Sequence, residues 1–133
     1  MPRWTRPDDA ELRERLDEMQ YRVTQENATE RAFTGEYWNR FDPGTYHCAG
    51  CGTPLFEAEA KYDHGCGWPA FTQAIEKDRI GYHEDRSFGM RRVEVTCRNC
   101  GGHLGHVFKD GPPPTHDRYC INSASVRFDP KEG

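Results

Sequence analysis

Long apolar runs are lacking in this 133-residue chain, of which only 35% is hydrophobic. Nowhere do about eighteen apolar residues follow one another, as a membrane-spanning helix requires. The basic residues near the amino terminus are not followed by the apolar stretch of a secretory signal peptide. We therefore expect no membrane span and no leader, and a reducing, cytoplasmic setting.

A surplus of positive charge is also lacking, since the formal net charge is −4 and the isoelectric point is about 5.8. Surfaces that neutralise nucleic-acid phosphates need clustered Lys and Arg. No nucleic-acid partner is expected.

The chain length fits a single domain over residues 1–133. Within it we expect a lead-in and an amino-terminal helix over residues 1–20, and a frayed tail over 129–133. So few apolar residues predict a thin hydrophobic core, which an additional cross-link would stabilise.

The amino-terminal helix is predicted between about residues 7 and 20, with Asp8 or Asp9 as its cap. Apolar residues recur there at spacings of four and three, namely at Leu12, Leu16 and Met19. From 23 to 44 the pattern is irregular, and a loop that wraps a surface is expected. Aromatic rings would pin that loop: Phe33, Tyr37, Trp38 and Phe41.

Short runs of β-forming residues dominate the rest of the chain, separated by turns that thirteen glycines and nine prolines supply. Alternation such as Val93-Glu-Val95 marks half-buried antiparallel strands. The runs lie at 45–48, 79–83, 89–96, 106–108, 118–122 and 125–128. We therefore predict a mainly β fold.

The six cysteines fall into two Cys-x-x-Cys pairs, Cys48 with Cys51 and Cys97 with Cys100, and two single residues. Two such pairs complete the tetrahedral set of thiolates that zinc prefers in closed structural sites. Ordinary disulfides or thioredoxin-like redox motifs are the alternatives, although disulfides would need an oxidising compartment. We predict one structural zinc ion with no open coordination position, so the chemistry must come from elsewhere.

Cys120 lies on a predicted strand between Arg118 and Asn122. Positions two apart on a strand share a face, so these three side chains are expected to project to the same side. The guanidinium would lower the pKa of the thiol and favour the nucleophilic thiolate. A buried strand cysteine that acts only as a small hydrophobe is the alternative.

Further candidates lie upstream of Cys120. His103 and His106 are flanked by small residues, and histidine is the natural general acid near neutral pH. Cys66 lies between two glycines, which would let its thiol move towards another sulfur. The neighbouring Trp68 could receive a methyl group or thioether. Each of these residues could instead be structural.

Three longer motifs contain these residues: Gly65-Cys-Gly-Trp-Pro69, Gly102-His-Leu-Gly-His-Val-Phe108 and Arg118-Tyr-Cys-Ile-Asn122. Together with the Cys-x-x-Cys pairs they resemble the B-type methionine sulfoxide reductases, which act on the R epimer of methionine sulfoxide. The resemblance extends from about Leu12 to Phe128 and includes Tyr21-Arg-Val-Thr-Gln-Glu26 and Thr34-Gly-Glu-Tyr-Trp38. It implies two antiparallel sheets forming an open barrel-like core, with the zinc on the far side from the active site.

The resemblance also implies a mechanism. Cys120 would attack the sulfoxide sulfur while His106, with His103, protonates the oxygen. The resulting sulfenic acid on Cys120 would condense with Cys66 to a disulfide that thioredoxin opens. Trp68 would pack on the substrate methyl group.

Further roles follow for the surrounding polar residues. Arg118 would favour the thiolate, and Asn122 and Asp110 would orient the histidines or an ordered water. His64 stands where the family usually has serine, and a solvated histidine is expected. Protein-bound methionine sulfoxide is the expected substrate, and a monomer the expected state.

Other functions stay open at this point. A zinc-held binding module would need the four paired cysteines but neither Cys120 nor the histidines. A thiol redox sensor would need the same two single cysteines, Cys66 and Cys120. A zinc deaminase would need a His-x-Glu and a Pro-Cys-x-x-Cys group around an open metal position, and the chain has neither.

Overall fold

Two antiparallel sheets and two short helices form the fold, in a computed structural model that describes residues 8–86, 89 and 91–131. The helices are α1 (Asp9–Arg15) and α2 (Glu18–Glu26). The strands are β1 (Gly44–Cys48), β2 (Pro54–Glu57), β3 (Lys61–Tyr62), β4 (Ala70–Phe71), β5 (Ile80–Asp85), β6 (Arg92–Cys97), β7 (His103–Phe108), β8 (Arg118–Ile121) and β9 (Val126–Pro130). Among the described residues, no helix is long and apolar enough to cross a membrane.

The smaller sheet has the strand order β2-β1-β9, and the larger has the order β3-β4-β8-β7-β6-β5. Neighbouring strands in both sheets run antiparallel. The sheets do not close into a barrel, so the prediction of a mainly β fold with an open two-sheet core is confirmed.

Aromatic side chains make up much of the core. Phe56 stacks on Phe71 with ring centroids 4.5 Å apart, and Tyr46 meets Phe71 edge to face at 5.2 Å. All three rings are fully buried, as is Tyr119. Large rings bury more area per residue than aliphatic side chains, which makes up for the low apolar content of the sequence.

The predicted amino-terminal helix is confirmed, but it ends at Arg15 and a second helix follows, so the predicted extent to residue 20 is wrong. The chain is extended at Leu16, and α2 then begins at a capping box in which Asp17 accepts from the Gln20 amide and the Gln20 side chain accepts from the Asp17 amide. The predicted cap at Asp8 is confirmed for α1. Because of the break, Leu16 is buried while Met19 is 45% exposed.

The loop predicted from residue 23 begins later, because α2 continues to Glu26. Residues 27–43 contain neither helix nor strand. Of the rings expected to pin this segment, Tyr37 is buried, whereas Phe33 and Phe41 are 54% and 48% exposed.

All six predicted strands are present with shifted ends, and three short strands were missed, namely β2, β3 and β4. β2 begins at a proline, and β3 and β4 have two residues each, which is too short for a pattern of alternation. The tail predicted from residue 129 is wrong in part, since β9 pairs with β1 as far as Pro130. The lead-in before residue 8 and residues 132–133 lie outside the described residues.

Gly105 allows β7 and β8 to approach closely. A Cβ at this position would collide with the main-chain carbonyl of Cys120. The two strands therefore need a glycine here to hold His106 opposite Cys120 in the register that the sheet adopts.

The capping box of α2 can be tested with substitutions at Asp17. Asp17→Ala should lower the free energy of unfolding by about 1 kcal/mol, because the Gln20 amide loses its acceptor. Asp17→Asn keeps an acceptor oxygen and should stay close to the wild type. Urea unfolding measures both variants. An equal loss in Asn and Ala would contradict the capping role.

Candidate active site and metal centre

Four cysteine sulfurs lie within 4.8 Å of one another. The Sγ atoms of Cys48 and Cys100 are 3.6 Å apart, as are those of Cys51 and Cys97. A tetrahedron with Zn–S distances of about 2.3 Å places its sulfurs about 3.8 Å apart. All six cysteines are free thiols. The predicted set of four cysteines is thus brought together as a cluster that can hold a metal ion.

Both Cys-x-x-Cys pairs use the same turn. Each is followed by a glycine with positive φ, Gly52 at 86° and Gly101 at 80°. The Gly52 amide donates to the Cys48 carbonyl at 2.9 Å, and the Gly101 amide donates to the Cys97 carbonyl at 2.6 Å. The first pair begins at the last residue of β1 in the smaller sheet, and the second begins at the last residue of β6 in the larger sheet, so the cluster joins the two sheets.

The donor set also fits a cation chemically. The pKa of the Cys48 thiol is raised, with hydrogen bonding to Cys100 as the leading cause. Without a cation, this thiol therefore keeps its proton beside the other sulfurs. Four thiolates can lie side by side when a cation balances their charge, and binding then releases the thiol protons.

Cys120 lies on β8, inside the larger sheet. It pairs with Ala70 of β4 on one side and with His106 of β7 on the other. Directly opposed residues project from the same face of a sheet, so the side chains of Cys120 and His106 share one face.

A cavity of about 250 Å³ opens over Cys120. Six predicted residues line it: Cys66, Trp68, His106, Arg118, Cys120 and Asn122. Residues that the sequence analysis had not assigned to a site also line it: Thr29, His64, Arg92, Gly105, Phe108 and Ile121. The structure thus brings together most of the predicted site around one cavity. His103 and Asp110 do not line the cavity but contact residues that do, His106 and Arg118.

Burial raises the pKa of the Cys120 thiol to about 12, and the neighbouring Cys66 adds to the increase. The Arg118 guanidinium lowers that pKa, as expected, but its effect is smaller than that of burial. The expectation of a resting thiolate is therefore wrong in its net direction. Cys120 rests as a protonated thiol because the cavity disfavours an isolated negative charge.

Cys66 is half-buried on the cavity wall, and its thiol donates to the Trp68 carbonyl at 3.4 Å. Gly65 and Gly67, on either side, have φ of 84° and 87°. A Cβ at Gly65 would meet no atom within 4 Å, whereas one at Gly67 would collide with a neighbouring loop. The Cys66 turn is thus open on one side and packed on the other.

Glu30 fixes two walls of the cavity through its main chain. The Trp68 indole donates to the Glu30 carbonyl at 3.0 Å, and the Glu30 amide donates to the Asn122 side-chain oxygen at 2.9 Å. The Asn122 amide group donates in turn to the Leu104 carbonyl at 3.0 Å. Both ends of the Asn122 side chain are therefore held by main-chain groups.

Each histidine contacts a carboxylate that the sequence analysis did not identify. His103 Nδ1 lies 2.6 Å from Glu94 Oε2, and His106 Nε2 lies 2.8 Å from Asp85 Oδ2. Arg92 donates to the same Asp85 oxygen at 3.1 Å. A carboxylate only accepts, so each of these ring nitrogens carries the shared proton. Burial lowers the pKa of His103 despite its carboxylate partner.

Asp110 lies beside Arg118. The Arg118 guanidinium donates to both oxygens of the Asp110 carboxylate, at 2.8 and 3.2 Å, and lies 4.4 Å from the centre of the Phe108 ring. The two bonds and the ring hold the guanidinium at the cavity wall.

Asp85 and Glu94 could not be found from motif spacing. They lie on β5 and β6, where acidic residues at strand positions are ordinary solvent-facing features. Glu94 alternates with Val93 and Val95, which does place it on the polar face of its strand. Only the register, with Glu94 opposite His106, brings the carboxylate to the histidines.

Two free thiols and a histidine line one cavity, which is a set of groups that thiol-dependent oxidoreductases use. A family model for the SelR domain matches residues 16–130. The chain therefore belongs to the SelR domain family, and the resemblance to B-type methionine sulfoxide reductases is confirmed.

Named relatives match nearly the whole chain. A protein of Methylibium petroleiphilum named peptide methionine sulfoxide reductase MsrB is 54% identical over 131 residues, which cover 98% of this chain and 95% of the relative. Its namesake in Saccharophagus degradans is 57% identical, with 97% and 96% covered. The mouse mitochondrial methionine-R-sulfoxide reductase B3 is 57% identical over 92% of this chain and 48% of its own length.

The raised pKa of Cys120 predicts how its alkylation depends on pH. Only the thiolate reacts, so the rate of modification by iodoacetamide should rise about tenfold per pH unit from about pH 7 to 10 without levelling off. In Arg118→Ala the rate at each pH should fall, because the guanidinium lowers that pKa. Peptide mapping by mass spectrometry follows Cys120 separately from the other cysteines. A plateau below about pH 9 would contradict the protonated resting state.

Proposed function

We propose that this chain reduces the R epimer of methionine sulfoxide in oxidised polypeptides, with Cys120 as the nucleophile and Cys66 as the resolving thiol. The observation that supports the assignment of roles is the shared cavity, where the two free thiols lie beside Trp68 and His106. Membership of the family and the names of its relatives support the reaction itself.

The first step transfers the sulfoxide oxygen to Cys120. The Cys120 sulfur attacks the sulfoxide sulfur, the oxygen is protonated, and the products are methionine and a Cys120 sulfenic acid. One proton leaves the thiol and one reaches the oxygen, so the step takes up no net proton. A protonated resting thiol can therefore supply its own proton through a relay.

His106 is the group best placed to relay that proton. It lines the cavity on the same face as Cys120, whereas His103 does not line it and has a lowered pKa. Because Nε2 of His106 shares its proton with Asp85, Nδ1 is left to exchange protons in the cavity. His103 and Glu94 would then support the His106 ring, whose centre lies 5.8 Å from that of His103.

The remaining predicted residues shape the cavity. Trp68 would cover the substrate methyl group, with its ring held by the bond to Glu30. Arg118 would stabilise negative charge on Cys120 as it attacks, and Asp110 would hold Arg118 in place. Asn122 would act as a fixed wall, since its amide is bonded to Glu30 and Leu104.

The second step converts the sulfenic acid to a disulfide. Cys66 attacks the Cys120 sulfenic acid, a disulfide forms and water leaves. A dithiol protein such as thioredoxin would then reduce the Cys66–Cys120 disulfide and return both residues to thiols.

The metal ion of the four-cysteine cluster is proposed to be zinc in a structural role. Four sulfurs in a closed set suit zinc and leave no position for substrate. The thiols must stay reduced to bind it, so a reducing compartment such as the cytoplasm fits the chain.

Loss of one metal ligand should release zinc and destabilise the fold. In Cys97→Ser we expect little bound zinc and a loss of stability on the order of several kcal/mol, because the link between the sheets is opened. Metal analysis and thermal melting measure these effects. Cys66→Ser serves as the control and should keep both the zinc and the wild-type melting temperature. Full zinc content in Cys97→Ser would refute the ligand assignment.

Turnover of separated epimers tests the function, with a capped methionine sulfoxide as substrate and dithiothreitol as reductant. The R epimer should be reduced and the S epimer should not. In Cys66→Ser, a single turnover should still release about one methionine per enzyme at close to the wild-type rate, since the first step does not use Cys66. Steady turnover should fail with thioredoxin and persist in part with dithiothreitol.

Mass spectrometry after one equivalent of substrate provides the matching readout. The wild type should contain a Cys66–Cys120 bridge, and Cys66→Ser an oxidised Cys120. Activity on the S epimer alone, or on neither, would overturn the proposed function. Full thioredoxin-dependent turnover by Cys66→Ser would overturn only the resolving role.

A further inference from the structure

Phe33 has an unusual backbone for a bulky residue. Its φ is 67°, in the left-handed region, and its side chain is 54% exposed. A large side chain is rarely found there, and such strain persists only where neighbouring structure imposes it, often at functional sites. The proposed reaction cycle leaves this residue without a role.

The loop that carries Cys66 imposes the conformation. The Phe33 amide donates to the Gly67 carbonyl at 2.8 Å. Gly67, at φ 87°, packs so closely that a Cβ there would strike Ala32 and the Phe33 ring. Phe33 is thus fixed against the residue next to Cys66.

A second aromatic ring supports the first. Trp38 meets Phe33 edge to face with ring centroids 4.9 Å apart. Ala32 and Trp38 are half-buried, and Phe33 projects furthest into solvent. We call these three residues the Phe33 patch. Single exposed apolar residues are common, but here an exposed ring combines a left-handed backbone, an aromatic neighbour and a position beside the proposed resolving thiol.

The position of the patch identifies its partner, on the basis of the proposed function. A protein that reduces the Cys66–Cys120 disulfide must bring its thiolate to a sulfur in the cavity. Protein partners typically cover about 800 Å² of each surface, a footprint roughly 30 Å across. Phe33 contacts Gly67, next to Cys66, so a footprint of this size centred on Cys66 includes Phe33.

We propose that the Phe33 patch is the docking surface for a protein dithiol reductant with an apolar surface around its reactive thiol. The reductant's thiolate attacks the Cys66 sulfur, a mixed disulfide forms, and Cys120 leaves and takes up a proton. The reductant's second thiol then attacks the mixed disulfide and releases Cys66. Two electrons and two protons pass from the dithiol, which becomes a disulfide. Burial of the Phe33 ring against the partner holds the two proteins together during this exchange.

The test compares Phe33→Asn with the wild type. Asn tolerates the left-handed conformation, so the substitution removes the ring and keeps the backbone. With thioredoxin, its reductase and NADPH, we expect the KM for thioredoxin to rise about tenfold, as for the loss of one aromatic contact residue. Turnover with dithiothreitol and the single-turnover rate with a capped R-sulfoxide should not change.

Two controls accompany this variant. Phe33→Tyr keeps an aromatic ring and should restore the KM for thioredoxin. Val93→Thr changes another exposed apolar residue, 39% exposed, on the sheet face opposite to Cys120, and should leave that KM unchanged. Should Phe33→Asn fail to fold, Phe33→His serves the same comparison, because histidine also tolerates a positive φ.

Three outcomes would overturn the proposal. An unchanged KM for thioredoxin is the first. A higher KM for an oxidised protein with dithiothreitol, without a change for thioredoxin, would assign the patch to the substrate. A lower single-turnover rate and a lower melting temperature, with no specific effect on thioredoxin, would make Phe33 purely structural. Failure of the wild type to reduce the R epimer with dithiothreitol would instead refute the proposed function.

Discussion

The close pairing of β7 with β8 is the contact on which the active site depends. It brings His106 directly opposite Cys120, and it is possible because Gly105 has no side chain to meet the Cys120 carbonyl. The next strand of the same sheet adds a carboxylate, since Glu94 of β6 lies opposite His106. Successive antiparallel registers thus place a thiol, a histidine and a carboxylate on one face of the sheet.

The two sheets are joined in two different ways. Aromatic rings fill the space between them, while the four-cysteine cluster links the end of β1 to the turn between β6 and β7. The first depends on buried area, and the second would depend on the metal ion that the cluster can hold. In a sequence with few apolar residues, such a link would add to the stability that the aromatic core provides.

Site residues that belong to one sequence motif could be predicted from the sequence. Residues that approach the site only through the pairing of distant strands could not. The spacing of Cys120 and Asn122 placed them on one face, and both line the cavity. Asp85 and Glu94 come from other strands, and nothing local marks them as partners of histidines. Burial, which sets the net pKa of Cys120, is likewise a property of the folded chain. The break before α2 was readable in principle, because Asp17 and Gln20 have capping-box spacing.

The protonated state of Cys120 has a consequence for survival of the protein under oxidising conditions. Hydrogen peroxide attacks thiolates far faster than thiols, and repeated attack leads to irreversible sulfinic and sulfonic acids. A resting thiol with a pKa of about 12 is a poor target for peroxide. In the proposed reaction, a sulfoxide bound in the cavity would instead meet the thiol together with a proton relay. Burial of one sulfur would thus favour reaction with a bound sulfoxide over reaction with free peroxide.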